Sequence, residues 1–128
     1  MRLLGTHHVA VICSDYERSR QFYVEVLGLE VVGEAYRAGR RSHKLDLRLP
    51  DGTQVELFSF PDPPPRASYP EACGLRHLAF AVADIDAAVT HLTGCGVTVE
   101  PVRTDEYTGR RFTFLPDPDG LPLELYER

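Results

Sequence analysis

The sequence predicts an α+β fold built from two consecutive βαβββ modules, and three observations carry that expectation. The segment His8-Val9-Ala10-Val11-Ile12-Cys13, followed by Asp15, returns as His77-Leu78-Ala79-Phe80-Ala81-Val82, followed by Asp84, with a displacement of 69 residues. The segment Pro50-Asp51-Gly52-Thr53-Gln54-Val55-Glu56-Leu57 returns as Pro118-Asp119-Gly120-Leu121-Pro122-Leu123-Glu124-Leu125, with a displacement of 68. Between these anchors the order of strand-like and helix-like segments is the same in both halves. A repeat of this length marks a duplicated structural unit.

The elements follow in order. Thr6 to Cys13 is a β-branched run that reads as a buried strand. Asp15 is placed to cap a helix, because its carboxylate can accept from the free amides of the first turn. Phe22, Tyr23, Val26 and Leu27 form the apolar stripe of that helix, and Gly28 stops it. Leu29 to Tyr36 reads as a strand. So does His43 to Leu49, where Leu45, Leu47 and Leu49 alternate with Lys44, Asp46 and Arg48. Asp51-Gly52 signals a hairpin turn into a returning strand, Gln54 to Phe60.

Pro61 to Cys73 is the linker-like stretch, with five prolines at 61, 63, 64, 65 and 70 that oppose both helix and central strand. The pattern then repeats. A strand is expected from Leu75 to Val82 and a helix from Asp84 to Thr93, ended by Gly94 and Gly96. Strands follow at Val97 to Val102, Arg111 to Leu115 and, past the Asp119-Gly120 turn, Leu121 to Tyr126. The displacement changes from 69 at Asp84 to 68 at Cys95-Gly96, so the residue lost from the second copy lies inside the helical segment. The expected organisation is one domain over 1–128, with module 1 at about 5–60, the linker at 61–73 and module 2 at about 74–127. Neither half would bury enough surface comfortably alone.

Composition excludes several function classes. The formal net charge is −5, and no basic cluster exceeds the pairs Arg40-Arg41 and Arg110-Arg111, which disfavours nucleic acid and anionic membrane as partners. The N-terminal residues Met1 to Thr6 lack a signal-peptide core, and no apolar run is long enough to span a bilayer. The three cysteines, Cys13, Cys73 and Cys95, cannot all pair and lack metal-type spacing, so they read as reduced thiols of a cytoplasmic protein.

Strand parity gathers four residues. If Val9, Val11 and Cys13 face the helix, His8 faces away with Ala10 and Ile12. Val55 and Leu57 bracket Glu56 in the same way, Leu123 and Leu125 bracket Glu124, and Leu78 and Phe80 set the parity of His77. His8, Glu56, His77 and Glu124 are therefore expected on sheet faces that the helices leave uncovered. Isolated His and Glu residues are ordinary on strands, but four at matched repeat positions form a donor set. Two imidazoles and two carboxylates suit one divalent ion, Zn, Ni, Co, Mn or Fe, with room for water or substrate oxygens. Parity turns His7 toward the helix, while His43 and His91 lack repeat partners.

His8-Val9-Ala10, the run Asp15…Ser19…Phe22-Tyr23…Leu27-Gly28 and the ending Pro118-Asp119-Gly120…Glu124-Leu125 resemble the vicinal oxygen chelate superfamily. Within it the chain is most similar to glyoxalase-I-like members. The resemblance implies tandem βαβββ modules curling into a cupped mixed sheet around a metal site, with His8, Glu56, His77 and Glu124 as ligands. It also implies modules paired within one chain or across a homodimer. The implied activity is that of a metal-dependent lyase or isomerase related to lactoylglutathione lyase. Its substrate would be a small molecule with adjacent oxygens, such as a thiol adduct. Glu56 and Glu124 would act as catalytic carboxylates that move a proton through an enediolate. The alternatives within the superfamily are an extradiol-type dioxygenase, an epoxide-opening thiol transferase and a non-catalytic small-molecule-binding protein.

Three cations complete the expectation. Lys44 and Arg48 share the outward parity of their strand. Arg111 faces the cavity if Phe112 and Phe114 are core. Such a lining suits an acidic substrate.

Overall fold

A computed structural model describes residues 1–128. The chain divides into two compact units, Met1–Pro65 and Arg66–Arg128. Each carries a four-stranded mixed sheet with one helix packed on it, which is the tandem βαβββ arrangement expected from the repeat.

In the first unit β1 (His8–Cys13) leads into α1 (Tyr16–Gln21), which continues as a π-helical turn over Phe22–Val26. There follow β2 (Glu30–Arg37), β3 (Ser42–Arg48) and β4 (Gln54–Ser59), giving the sheet order β1-β4-β3-β2. β1 runs parallel to β4, while β3 is antiparallel to both β4 and β2. Asp15 caps α1 as expected, accepting from the Arg18 amide at 3.2 Å. Tyr16, Ser19, Phe22 and Tyr23 of the helical segment are buried, as are Val11, Cys13, Leu45, Leu47, Val55 and Leu57 of the sheet. The helix thus covers the face that parity assigned to it.

The second unit holds β5 (Leu78–Val82), α2 (Ile85–Gly94), β6 (Arg103–Thr104), β7 (Arg111–Pro116) and β8 (Pro122–Glu127). Its order, β5-β8-β7-β6, repeats that of the first sheet, with β5 parallel to β8. Asp84 caps α2 through the Ala87 amide at 2.9 Å. Ile85, Leu92, Leu115, Leu123 and Leu125 form the core on the helix-covered face.

The single-residue slip between the copies has a structural form. In the first unit the extra residue is absorbed by the π-helical turn, where the Leu27 amide donates to the Phe22 carbonyl at 2.9 Å. The second unit is α-helical to Gly94. An inserted residue that kept strict α geometry would rotate every later side chain by about 100°, whereas one wider turn lets the helix end on the same face. Both helical segments then close at a glycine in the left-handed region, Gly28 at φ 75° and Gly96 at φ 78°. That conformation strains any residue with a Cβ.

Two expectations need correcting. Val97 to Val102 is not a strand. The Glu100 amide donates to the Phe114 carbonyl of β7 at 2.9 Å, but Pro101 has no amide to donate, and regular ladder pairing with β7 is confined to Arg103 and Thr104. The proline-rich stretch is not a free-standing linker either. Its second half belongs to the second unit, where Arg66 donates to Ser68 Oγ at 2.9 Å and to the carbonyl oxygens of Leu75 at 3.2 Å and Arg76 at 3.4 Å. The three cysteines form no disulfide, with Cys13 buried and the other two exposed. No helix is long and apolar enough to cross a membrane.

Candidate metal centre

Each unit brings one histidine and one glutamate together on the sheet face away from its helix. In the first, His8 Nε2 lies 3.7 Å from Glu56 Oε2. In the second, His77 Nε2 lies 3.0 Å from Glu124 Oε2. Repetition of register is what places them. Ala10 pairs with Glu56 across β1 and β4, and Ala79 pairs with Glu124 across β5 and β8. In each copy the histidine lies two residues before that alanine and on the same face. Val55 and Leu57, like Leu123 and Leu125, are buried on the opposite side, so register cannot slip without driving a carboxylate into the core.

The surroundings of the two pairs differ. Glu56 also lies 3.6 Å from Lys44 Nζ, and Lys44 is hydrogen-bonded to Asp46. The Asp46 carboxylate holds the Lys44 ammonium charged, raising its pKa, with lesser help from Glu56. His7 Nδ1 lies 2.9 Å from His8 Nδ1, so one ring can donate to the other and leave His8 Nε2 facing Glu56. Glu124 has neither a lysine nor a second imidazole in this role. Phe114 is opposite it on β7, and the Phe114 ring meets His77 edge-on at 5.1 Å. His77 borders a cavity of about 720 Å³. Further along the same face, Tyr126 is hydrogen-bonded to Thr108 and donates to Asp105 Oδ2 at 3.0 Å.

The donor types of each pair, an imidazole nitrogen and a carboxylate oxygen, suit a divalent cation. His77 Nδ1 is buried without a hydrogen-bond partner, while Nε2 lies 3.0 Å from Glu124 Oε2. A nitrogen and a carboxylate oxygen at this distance are spaced so that one divalent ion could bridge them. Bonds of about 2.0–2.2 Å would span a separation near 3 Å. Neither unit by itself gathers three or more His, Cys, Asp or Glu side chains into such a group.

The expected cation lining is corrected by parity. On β7 it is Thr113 and Leu115 that are buried, while Phe112 and Phe114 pair with Tyr126 and Glu124. Arg111 therefore lies on the helix-covered side, where it binds Glu127 at 2.8 Å and Asp86 of α2 at 2.8 Å. Phenylalanine looked like core and arginine like lining, but the buried positions are filled by a threonine and a leucine. Arg48 has the outward parity foreseen for it, but its guanidinium is held by Glu30 at 2.9 Å on the exposed edge. Of the three cations only Lys44 reaches one of the four candidate ligands, Glu56. His43, unpaired in the repeat, stacks on Tyr16 with ring centroids 4.0 Å apart.

Arg111 is thus a stability residue, and its variant has a signature in pH. Its guanidinium holds the Glu127 carboxyl below the ordinary carboxylate range, with the Ile85 amide assisting. A carboxylate whose pKa is depressed by folding stabilises the protein above its unfolded pKa, and that contribution is lost as pH falls through the folded value. Arg111→Gln is expected to lower Tm at neutral pH and to leave substrate KM unchanged. The Tm difference should close as Glu127 protonates in acid. Thermal melts across pH check this, and a raised KM at unchanged Tm would restore Arg111 to the cavity.

With this geometry in place, comparison with known proteins is decisive for the family. The model of the Glyoxalase/Bleomycin resistance protein/Dioxygenase superfamily matches residues 5–125, and the chain belongs to that superfamily. It is 59% identical over 128 residues to the uncharacterized protein YwkD of Bacillus subtilis (strain 168), covering 100% of both chains. It is 33% identical to the 2-epi-5-epi-valiolone epimerase of an Actinomyces species, covering 95% of this chain and 78% of that one. The crystal structure of a glyoxalase family protein from Enterococcus faecalis superposes with a TM-score of 0.92 at 47% identity, covering 99% of this chain and 100% of that one.

Proposed function

We propose that the protein is a divalent-metal-dependent lyase or isomerase of glyoxalase-I type, moving a proton on a small substrate that presents two adjacent oxygens. One observation carries this reading: both copies of the repeat aim a histidine Nε2 and a glutamate Oε2 at each other on the uncovered sheet face. Two donors are too few for a firm site of a first-row ion, while four are ordinary. His8, Glu56, His77 and Glu124 would together hold one Zn, Ni, Co, Mn or Fe ion, and the two units would act as one domain. The ligands would come either from one chain or from the two chains of a homodimer.

The bound ion supplies Lewis-acid stabilisation of negative charge on a substrate oxygen. The chain supplies the rest. A carboxylate removes the proton beside the carbonyl, and a carboxylate returns it to the neighbouring or the same carbon. The epimerase relative supports proton transfer as the shared chemistry, since inverting a carbon beside a carbonyl needs removal and return of its proton. Glu56, with the Lys44 ammonium 3.6 Å away, would serve as the steadier ligand, and Glu124, with no lysine beside it, as the carboxylate that acts on the substrate.

Co-expression of two inactive variants tests the assembly. If sites form across chains, a mixed dimer of His8→Ala and His77→Ala contains one intact site and recovers activity. If sites form within a chain, both chains stay dead. The class of reaction is tested by assay of the metal-loaded protein on oxoaldehyde–thiol adducts and 2-hydroxyketones. Oxygen uptake with catechols, and no isomerisation, would overturn it.

A further inference from the structure

The cavity beside His77 lies wholly within the second unit, and its walls carry more than the metal ligand. Three arginines, Arg66, Arg76 and Arg103, line it together with Tyr69 and Phe114. At about 720 Å³ it has the capacity of a small-molecule site. Arg66 is committed, since its nitrogens hold Ser68 and the carbonyls of Leu75 and Arg76. The other two are not used in this way.

Arg76 is exposed and enters no ion pair. Arg103 lies over Phe112 at 5.0 Å and Phe114 at 5.7 Å, and Phe114 in turn meets His77 at 5.1 Å. An unbroken run of contacts therefore leads from a guanidinium to a metal-centre imidazole. Two carboxylates also border the cavity, Glu71 and Glu100. Glu100 occupies one nitrogen of Arg103 at 3.0 Å, but both side chains of that pair are more than half exposed. Such a pair is weak and is readily exchanged for a better-placed anion.

We infer that this cavity receives an oxyanion arm of the substrate, phosphate or carboxylate, gripped by Arg76 and Arg103 while the arm's other end reaches the metal centre. The inference rests on the metal-centre reading and adds the substrate class to it. Arginine suits the task because its planar fork matches either oxyanion with paired, charge-assisted hydrogen bonds. The arm would fix which end of an asymmetric molecule faces Glu124.

Three hydroxamates separate the two readings, because each presents adjacent oxygens to a metal and only the arm differs. Acetohydroxamate has no charged arm, succinic monohydroxamate carries a carboxylate and phosphoglycolohydroxamate carries a phosphate. Calorimetric titration of the full chain, with and without Zn²⁺, is expected to show one anionic probe binding roughly tenfold or more tighter than acetohydroxamate. The stronger of the two names the arm. Arg76→Gln and Arg103→Gln should each erase most of that advantage, and Glu100→Gln, which frees Arg103, should enlarge it. Equal, zinc-dependent binding of all three probes overturns the oxyanion arm and leaves the metal centre standing. An arm advantage that survives in the Arg76→Gln/Arg103→Gln double variant overturns it as well. If the advantage depends on the arginines but zinc adds nothing, the cavity assignment holds and the metal reading falls.

Discussion

His77→Ala is expected to weaken metal binding by more than about 100-fold, because loss of a mere hydrogen-bond partner behind a ligand already costs about 10–100-fold. His8→Ala should do the same, since the two rings hold equivalent places in the repeat. Neither change should unfold the chain. His77 precedes β5, and its side chain is about 29% exposed. The residues that fill the core beneath it, Leu123 and Leu125, are untouched. Elemental analysis gives the occupancy and circular dichroism the fold. Chelator-dependent melting adds a readout independent of activity: a ligand that binds only the folded state stabilises it by about 2.7 kcal/mol at a hundred times its Kd. The wild type should lose Tm on chelation, and the variants should not. Full occupancy in both alanine variants ends the metal assignment.

That prediction could be framed from the sequence because the repeat did two things at once. It set register in both sheets, and register set the face of each ligand: Glu56 between Val55 and Leu57, Glu124 between Leu123 and Leu125. It also placed the slipped residue in the helix, where the structure shows a π turn. At β7 period-two alternation holds, but hydrophobicity points to the wrong face as the buried one. Thr113 is buried and bonds the Glu100 carbonyl at 2.7 Å, while Phe112 and Phe114 lie on the site face. A strand whose aromatics face a cavity and whose small polar residue faces the core inverts the usual reading of hydrophobicity. Only pairing with β8 reveals it.

The arginines that line the cavity were hidden for another reason. Arg66 lies in the stretch that sequence composition marks as linker, Arg76 at the start of an expected strand, Leu75 to Val82, that forms only from Leu78, and Arg103 just beyond an expected strand that does not form. Positions in irregular segments have no period from which a face can be read. What brings them to one wall is the Arg66 side chain, whose bonds to the Leu75 and Arg76 carbonyls close the loop. His7 escaped for the opposite reason. Parity turned it from the site, yet its contact at 2.9 Å is with His8 itself, one residue along the chain.

Glu124→Gln should cost the larger share of turnover, on the order of 100- to 10,000-fold in kcat, the range associated with losing a general base. Glutamine keeps an oxygen that can face a cation and has nearly the same volume, so metal content should fall far less than rate. The same replacement at Glu56 is expected to act differently. Glu56 is flanked by Lys44 at 3.6 Å as well as His8 at 3.7 Å, and neutralising it leaves the Lys44 ammonium next to the ion with one fewer counter-charge. Metal affinity should therefore drop more in Glu56→Gln than in Glu124→Gln, with Lys44→Met restoring part of it. Steady-state kinetics at saturating metal separates the two effects, and solvent deuterium exchange at the substrate carbon reports whether proton abstraction itself is lost. Should both glutamine variants lose rate and metal in equal measure, the carboxylates share one role, and the asymmetry created by Lys44 is without catalytic consequence.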